Sequence, residues 1–143
     1  QQAYFAISES RGVALAEAML EEVLARPYDD PGGDTTFGPE VDETDRTLYD
    51  AIDDYHNCIE NQDRAAGGTG VDADPADAAG AAYPSAYVEF ERTVTVIAGT
   101  QTFDFTSPAT DVEGVTVTVT VTSGRTGRSW TVARFVPDPD PGG

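Results

Sequence analysis

Acidic side chains are the residues of this chain best supplied for chemistry. Asp72-x-Asp74-x-x-Asp77 places three carboxylates close together, and Asp42, Glu43, Asp45, Asp50, Asp53 and Asp54 gather more of them upstream. Hard oxygen donors at such spacing suit a hard divalent cation, calcium above all. The Asp72 run lacks the central glycine and distal glutamate of an EF-hand loop, and its bland alternative is a solvated acidic surface. With 26 Asp and Glu among 143 residues, a carboxylate pair of the kind that hydrolyses glycosides arises by chance and has no weight. His56, the sole histidine, follows Asp53 and Asp54, an order compatible with acid/base work. No GxSxG, no serine-base spacing and no second histidine accompany it. It therefore reads as a packing and hydrogen-bonding part of a fixed loop, together with Tyr55. Cys58 is the single cysteine, so no intrachain disulfide can form. Its acidic neighbours raise a thiol pKa, which argues against a reactive thiolate. The chain is expected not to be an enzyme and to bind no organic cofactor.

Charge narrows the partners. All eight basic residues are arginines, and the formal net charge is -18. Such a surface repels nucleic acid and anionic lipid head groups, and favours cations and high solubility. Adaptation of the whole surface to salty surroundings explains this more simply than a dedicated cation site. No run of about 20 apolar residues is present to cross a bilayer, and no signal-peptide pattern occurs. The opening Gln1-Gln2-Ala3-Tyr4 reads as mid-helix, as if an N-terminal continuation had been removed.

The elements that must hold these groups follow from periodicity. Tyr4/Phe5, Val13, Ala16, Met19/Leu20 and Val23/Leu24 recur every three or four residues, which predicts one amphipathic helix over 1–26. Pro27 disfavours the helical region for Arg26 and ends it. Residues 27–86 read as an acidic loop region. Within it, 47–55 is either a helical turn or a short strand, and 71–82 is low in complexity and expected to be mobile. Residues 87–136 read as sheet. Val88, Phe90, Val94 and Val96 alternate with polar residues, as do Phe103 and Phe105. Val115, Val117, Val119 and Val121 alternate with Thr116, Thr118 and Thr120, and Trp130, Val132 and Val136 continue the pattern. Gly99-Thr100 looks like the turn between the first two strands, and Gly124 to Arg128 like the turn of a hairpin. Pro137-Asp138-Pro139-Asp140-Pro141 opens an exposed tail over 137–143. The expected fold is α+β, a single domain with one long helix packed on an antiparallel sheet of about four strands. Valines face the helix, with Leu20 and Val119 in the core. Tyr4, Phe5 and Ile7 lie too far along the helix for the domain to bury, and such an apolar end marks a partner surface.

This order of elements resembles the type IV pilin fold. Ala16-Glu17-Ala18-Met19-Leu20-Glu21-Glu22-Val23-Leu24-Ala25-Arg26-Pro27-Tyr28 is similar to the helix end of minor prepilin-like proteins. Phe37-Gly38-Pro39-Glu40, Glu43-Thr44-Asp45-Arg46 and Asp53-Asp54-Tyr55-His56 resemble the D-type minor pilins of mannose-sensitive haemagglutinin (MSHA) pili. Gly114-Val115-Thr116-Val117-Thr118-Val119 is similar to that family's late strand. The resemblance covers residues 13–60 well and 87–136 loosely. The family's prepilin cleavage motif and apolar half-helix are not in this sequence, nor is the disulfide that closes the C-terminal loop of many pilins. The resemblance implies a minor pilin or pseudopilin of a type IV pilus or type II secretion filament. It implies partnership with other subunits through the N-terminal helix, with Tyr4, Phe5 and Ile7 as the assembly surface. It also implies anchoring in the inner membrane before assembly, and a place on the cell surface, in an extracellular filament or in the periplasm. The acidic loops at 29–54 and 72–77 are then expected to face outward from the filament. Calcium occurs in some related pseudopilins, an analogy that keeps Asp72, Asp74 and Asp77 as metal candidates. The alternative is an extracellular calcium- or carbohydrate-binding module.

Overall fold

The computed structural model describes residues 2–61, 74–105 and 107–140. Helix α1 (Gln2–Leu24) leads, followed by one-turn 3₁₀ helices at Arg46–Leu48 and Ile52–Tyr55 and by β1 (Cys58–Glu60). A third such turn, Ser85–Tyr87, precedes β2 (Phe90–Phe103), β3 (Thr110–Ser123) and β4 (Ser129–Pro137). The strands make one antiparallel meander in the order β1-β2-β3-β4, and α1 lies chiefly across β3 and β4. The layout is thus α+β, a leading helix on a four-stranded antiparallel sheet, as the periodicity predicts. Among the described residues, no helix is long and apolar enough to cross a membrane.

The sheet forms because its β-branched residues alternate. Val115, Val117, Val119 and Val121 are buried, while Thr116, Thr118, Thr120 and Thr122 stay partly exposed on the other face. Val119 pairs with Val94 on one side and Val132 on the other. Val115 opposes Val136, and Thr122 opposes Ser129, so the last two strands pair as expected. Leu15, Ala16, Met19 and Val23 close the core from the helix side.

The helix is turned slightly from its expected facing. Its dry stripe is Ser8, Gly12, Leu15, Ala16, Met19 and Val23, while Val13, Leu20 and Leu24 flank it half-buried. Leu15 therefore takes the core place expected of Leu20. Gly12 sets this facing. A Cβ there would stand 2.3 Å from Cε3 of Trp130, so only glycine lets the indole lie against the helix backbone. The helix unwinds at Ala25 and Arg26, whose N–H groups still donate to Glu21 and Val23 carbonyls at 3.1 and 3.0 Å. Pro27 has no N–H to continue the ladder, and its carbonyl instead accepts from Ile52 N–H at 3.0 Å.

Three segments depart from expectation. Gly99-Thr100 is not a turn; β2 runs through it, and Phe103 pairs with Thr110. Positions 97–102 of β2 and 110–111 of β3 are exposed, so no dry face imposes a period there and the ladder alone extends the strand. Phe105 accordingly sits in the connecting turn, exposed, with its ring edge-on to Phe103 at 5.5 Å. The fourth strand comes from the acidic loop region: β1 pairs Cys58 with Val94 and Glu60 with Arg92. Residues 47–55 resolve into parts of two 3₁₀ turns. Finally, 74–82 is a closed turn rather than a loose stretch. Ala76 bridges Ala82, and Asp77 Oδ1 accepts from Ala79 and Ala81 N–H at 3.0 and 2.9 Å.

A buried ionic network fastens that turn and β1 to the helix. Arg92, 1% exposed, donates to Glu60, to Leu15 O at 3.0 Å and to Ala76 O at 2.7 Å. Arg46 donates to Glu60 and to the carbonyls of Ala76 and Asp77, and its Nε stands 2.9 Å from Glu22 Oε2. Ala76 N–H also donates to Glu60, at 2.9 Å. Two guanidiniums thus serve Glu22 and Glu60 together, which compensates the desolvation of all four groups.

Candidate functional site

The acidic loop folds four carboxylates into one place. Gly38, in the left-handed region at φ 100, and Pro39 turn the chain into a tight bend. Within it Glu43 N–H donates to Glu40 O, and Glu40 N–H donates back to Glu43 Oε2, both at 3.0 Å. The Ile52–Tyr55 turn then aims Asp54 at the bend. Asp54 Oδ2 accepts from Asp50 and Ala51 N–H at 3.0 and 2.9 Å. Glu40, Glu43, Asp50 and Asp54 each bring one oxygen into a group whose members all lie within 4.8 Å of one another. Glu40, Glu43 and Asp50 border a cleft of about 380 Å³ that Asp30, Asp34 and Asp42 also line.

Burial makes this grouping electrostatically costly. Glu43 and Asp54 are buried, and Glu40 Oε2 is enclosed without a hydrogen-bond donor. Burial first, then the Glu40 carboxyl and the charge of Asp54, push Glu43 up to about 8. Burial also raises Asp54, against the two backbone N–H donors that pull it down, and neighbouring Asp53 and Glu40 push it further up. Two species relieve such a cluster: a proton shared among the carboxyls, or a divalent cation. Calcium–oxygen distances of about 2.3–2.6 Å put opposite ligands nearly 5 Å apart, a span this grouping already matches.

Of the acids singled out by spacing, Glu43, Asp50 and Asp54 come together, and Asp42 lines the cleft. Asp45 instead caps the Arg46–Leu48 turn, accepting from Thr47 N–H at 2.9 Å and from its hydroxyl. Asp53 accepts from Gly38 N–H at 2.8 Å and so pins the bend from outside. Asp72 lies outside the described residues. Asp77 is occupied in capping its own turn, and Asp74 is exposed. Neither belongs to the carboxylate group found among the described residues. Spacing alone does not single out Glu40; the Gly38-Pro39 bend brings it against Glu43 and into the group.

His56 and Cys58 have structural places. His56 Nδ1 accepts from Val96 N–H at 3.0 Å, capping the edge of β2 just beyond β1, and its ring meets Phe37 edge-on at 5.5 Å. Burial pushes the Cys58 thiol up to about 11, against the pull of Arg46, which leaves little thiolate at neutral pH.

The helix end is not the bare apolar stump expected. Tyr4 donates to the Glu89 carboxylate, 2.7 Å from either oxygen. The Arg125 guanidinium lies 3.8 Å over the Tyr4 ring, and that of Arg128 lies 4.9 Å over Phe5. Both aromatics are half-buried by the β3–β4 turn, whereas Ile7 is 48% exposed. The cause is cation–π stacking by arginines some 120 positions away, which helix periodicity does not register. Compared with family models, curated proteins and solved structures, the chain has no significant match in any of the three.

Proposed function

We propose that this chain is a structural subunit of a surface filament, of the minor pilin or pseudopilin kind, and that its work is assembly rather than catalysis. One observation carries the reading. Helix α1 lays one stripe on the sheet and leaves a second stripe, Ala3, Ala6, Ile7, Ser10 and Ala14, exposed along its N-terminal half. Small side chains let a second helix approach closely, since interaxial distance follows the residues at the contact. Helices of neighbouring subunits pack there, and the sheet and acidic loops form the outer surface. The test is to delete the gene, then shear and collect surface filaments from wild-type and complemented cells. The protein is expected in the sheared filaments, with filament number, attachment or secretion reduced by the deletion. Its absence from filaments, with all three unchanged, overturns the reading.

A second reading, a calcium-binding extracellular module, is favoured by the convergence of Glu40, Glu43, Asp50 and Asp54. Micromolar calcium is then expected to raise the Tm beyond the effect of sodium at equal ionic strength, and Asp50→Asn to abolish the difference. Equal shifts from both salts overturn it.

A further inference from the structure

The two ends of α1 differ in their charged groups: two arginines lie over aromatic rings, beside the Glu89 carboxylate held by Tyr4, at one end, and a dense run of acids lies at the other. At the start of α1, the guanidiniums of Arg125 and Arg128 lie over the rings of Tyr4 and Phe5. The ion pairs among the described residues are made by Arg46 and Arg92, and neither Arg125 nor Arg128 takes part in one. A cation–π contact does not use the guanidinium's five N–H donors as hydrogen bonds, and that fork fits carboxylate oxygens. Tyr4, Phe5, Arg125 and Thr126 line a cleft of about 510 Å³. At the other end of α1, about 30 Å away at 1.5 Å per residue, lies the stretch 29–54 with ten of the chain's acidic residues. Its Glu40–Glu43 bend presents Val41, 99% exposed, beside exposed Asp42. Full exposure of a valine at the tip of a tight bend leaves apolar surface in water that a partner could cover.

We propose that the cradle of Tyr4, Phe5, Arg125 and Arg128 receives the Val41-Asp42 tip of a second copy of this chain. Asp42 takes the arginine donors, and Val41 covers the aromatic rings. The pairing is head-to-tail, so each copy offers one cradle and one tip, and repetition builds a string or ring of copies rather than a two-fold dimer. The contact deepens the filament reading and rests on it. It makes the 40–43 tip an exception to the rule that the acidic loops face away from neighbours, because here the facing charges are opposite. An anionic lipid surface would meet the same arginines, but the remaining surface of a chain with net charge -18 repels it, whereas the acidic tip is supplied by the chain itself.

Sedimentation velocity of the 143-residue chain tests the contact, in NaCl sufficient to bring the Debye length to about 8 Å and screen the net repulsion. The wild type is expected to sediment faster with rising concentration. Arg125→Glu with Arg128→Glu, and separately Asp42→Arg, are each expected to remain monomeric. Mixing these two variants is expected to restore association, because the first keeps its tip and the second keeps its cradle; a misfolded variant could not be rescued in this way. Monomeric wild type at every concentration overturns the contact, as does association unaltered by the substitutions. Flotation of the wild type with phosphatidylglycerol vesicles, lost in the double arginine variant and without self-association, also overturns it and assigns the cradle to lipid. Sheared filaments separate the two claims. Incorporation without self-association refutes the contact alone, and self-association with no incorporation refutes the filament reading alone.

Discussion

Glu43→Gln is the sharpest probe of the carboxylate cluster. The side chain is buried, and its pKa is pushed up to about 8 from an ordinary 4.5. Because the folded value lies above the unfolded one, the folded chain keeps a proton that the unfolded chain has released. The stability this lends is complete below the unfolded pKa and is withdrawn as pH rises through the folded one. At 1.36 kcal/mol per tenfold change, the loss between pH 5 and pH 7 is about 2–3 kcal/mol. Glutamine keeps the volume and stays neutral at every pH, and its amide can donate to Glu40 Oε2, which lacks a donor. The variant is therefore expected to match the wild type near pH 5 and to exceed its stability by about 2–3 kcal/mol at pH 7. Urea titrations at several pH values, with chelator present so that no cation replaces the proton, read the difference directly. Taking the difference also cancels the pH dependence of carboxylates elsewhere in the chain. A difference that stays constant with pH, or a variant less stable at pH 7, refutes the reasoning.

Three other outcomes follow from the packing and charge. Gly12→Ala raises helix propensity by about 1 kcal/mol, but its Cβ meets the Trp130 ring at 2.3 Å; the collision wins, and a net loss of about 1–2 kcal/mol is expected in urea unfolding. A gain in stability would mean that the indole does not lie on the helix. Val119→Ala, at a fully buried position, is expected to cost about 2–3 kcal/mol, and Thr118→Ala on the opposite face well under half of that. Equal costs would reverse the strand's facing. The Tm is expected to climb with NaCl as the Debye length falls to about 3 Å at 1 M, since screening relieves repulsion within a chain of net charge -18. A flat or falling Tm would show that the acidic surface does not strain the fold.

The parts of the fold legible in the sequence are those with one dry face. Helix α1 and strands β3 and β4 each bury a single side, so their apolar residues repeat at the period of the element. The outer half of β2 buries neither side. Its Gly99-Thr100 then looks locally like a turn, and only hydrogen bonding to β3, from Gly99↔Gly114 to Phe103↔Thr110, makes it strand. Strand β1 is three residues long, and the burial of Glu60 against Arg92 joins positions 32 apart, beyond the reach of any local pattern. The candidate site was half legible for a different reason. Acid density marked the region, but ten acids in 29–54 cannot say which of them converge. The bend at Gly38-Pro39 and the Ile52–Tyr55 turn make that choice. They bring in Glu40 and set Asp45 and Asp53 to capping and pinning.

The exclusive use of arginine ties the fold to the proposed contact. The chain has eight cations against 26 acids, and those the structure describes are nearly all committed. Arg46 and Arg92 hold the buried carboxylates of Glu22 and Glu60. Arg26 Nε donates to Tyr55 Oη at 3.3 Å, Arg11 lies over Tyr87, and Arg125 and Arg128 cover Tyr4 and Phe5. Several of these places use a property that lysine lacks. The planar group can serve several acceptors in one plane, as Arg92 does with Glu60, Leu15 O and Ala76 O, or can stack on a ring while its edge stays available. The first use is satisfied inside the molecule and stabilises it. The second is only half satisfied at Arg125 and Arg128, because they lie over rings but no carboxylate pairs with them among the described residues. What sets Arg125 and Arg128 apart is that both lie over neighbouring rings at one end of α1, and in a chain of net charge -18 an abundant source of carboxylate for their donors is another copy of the same chain.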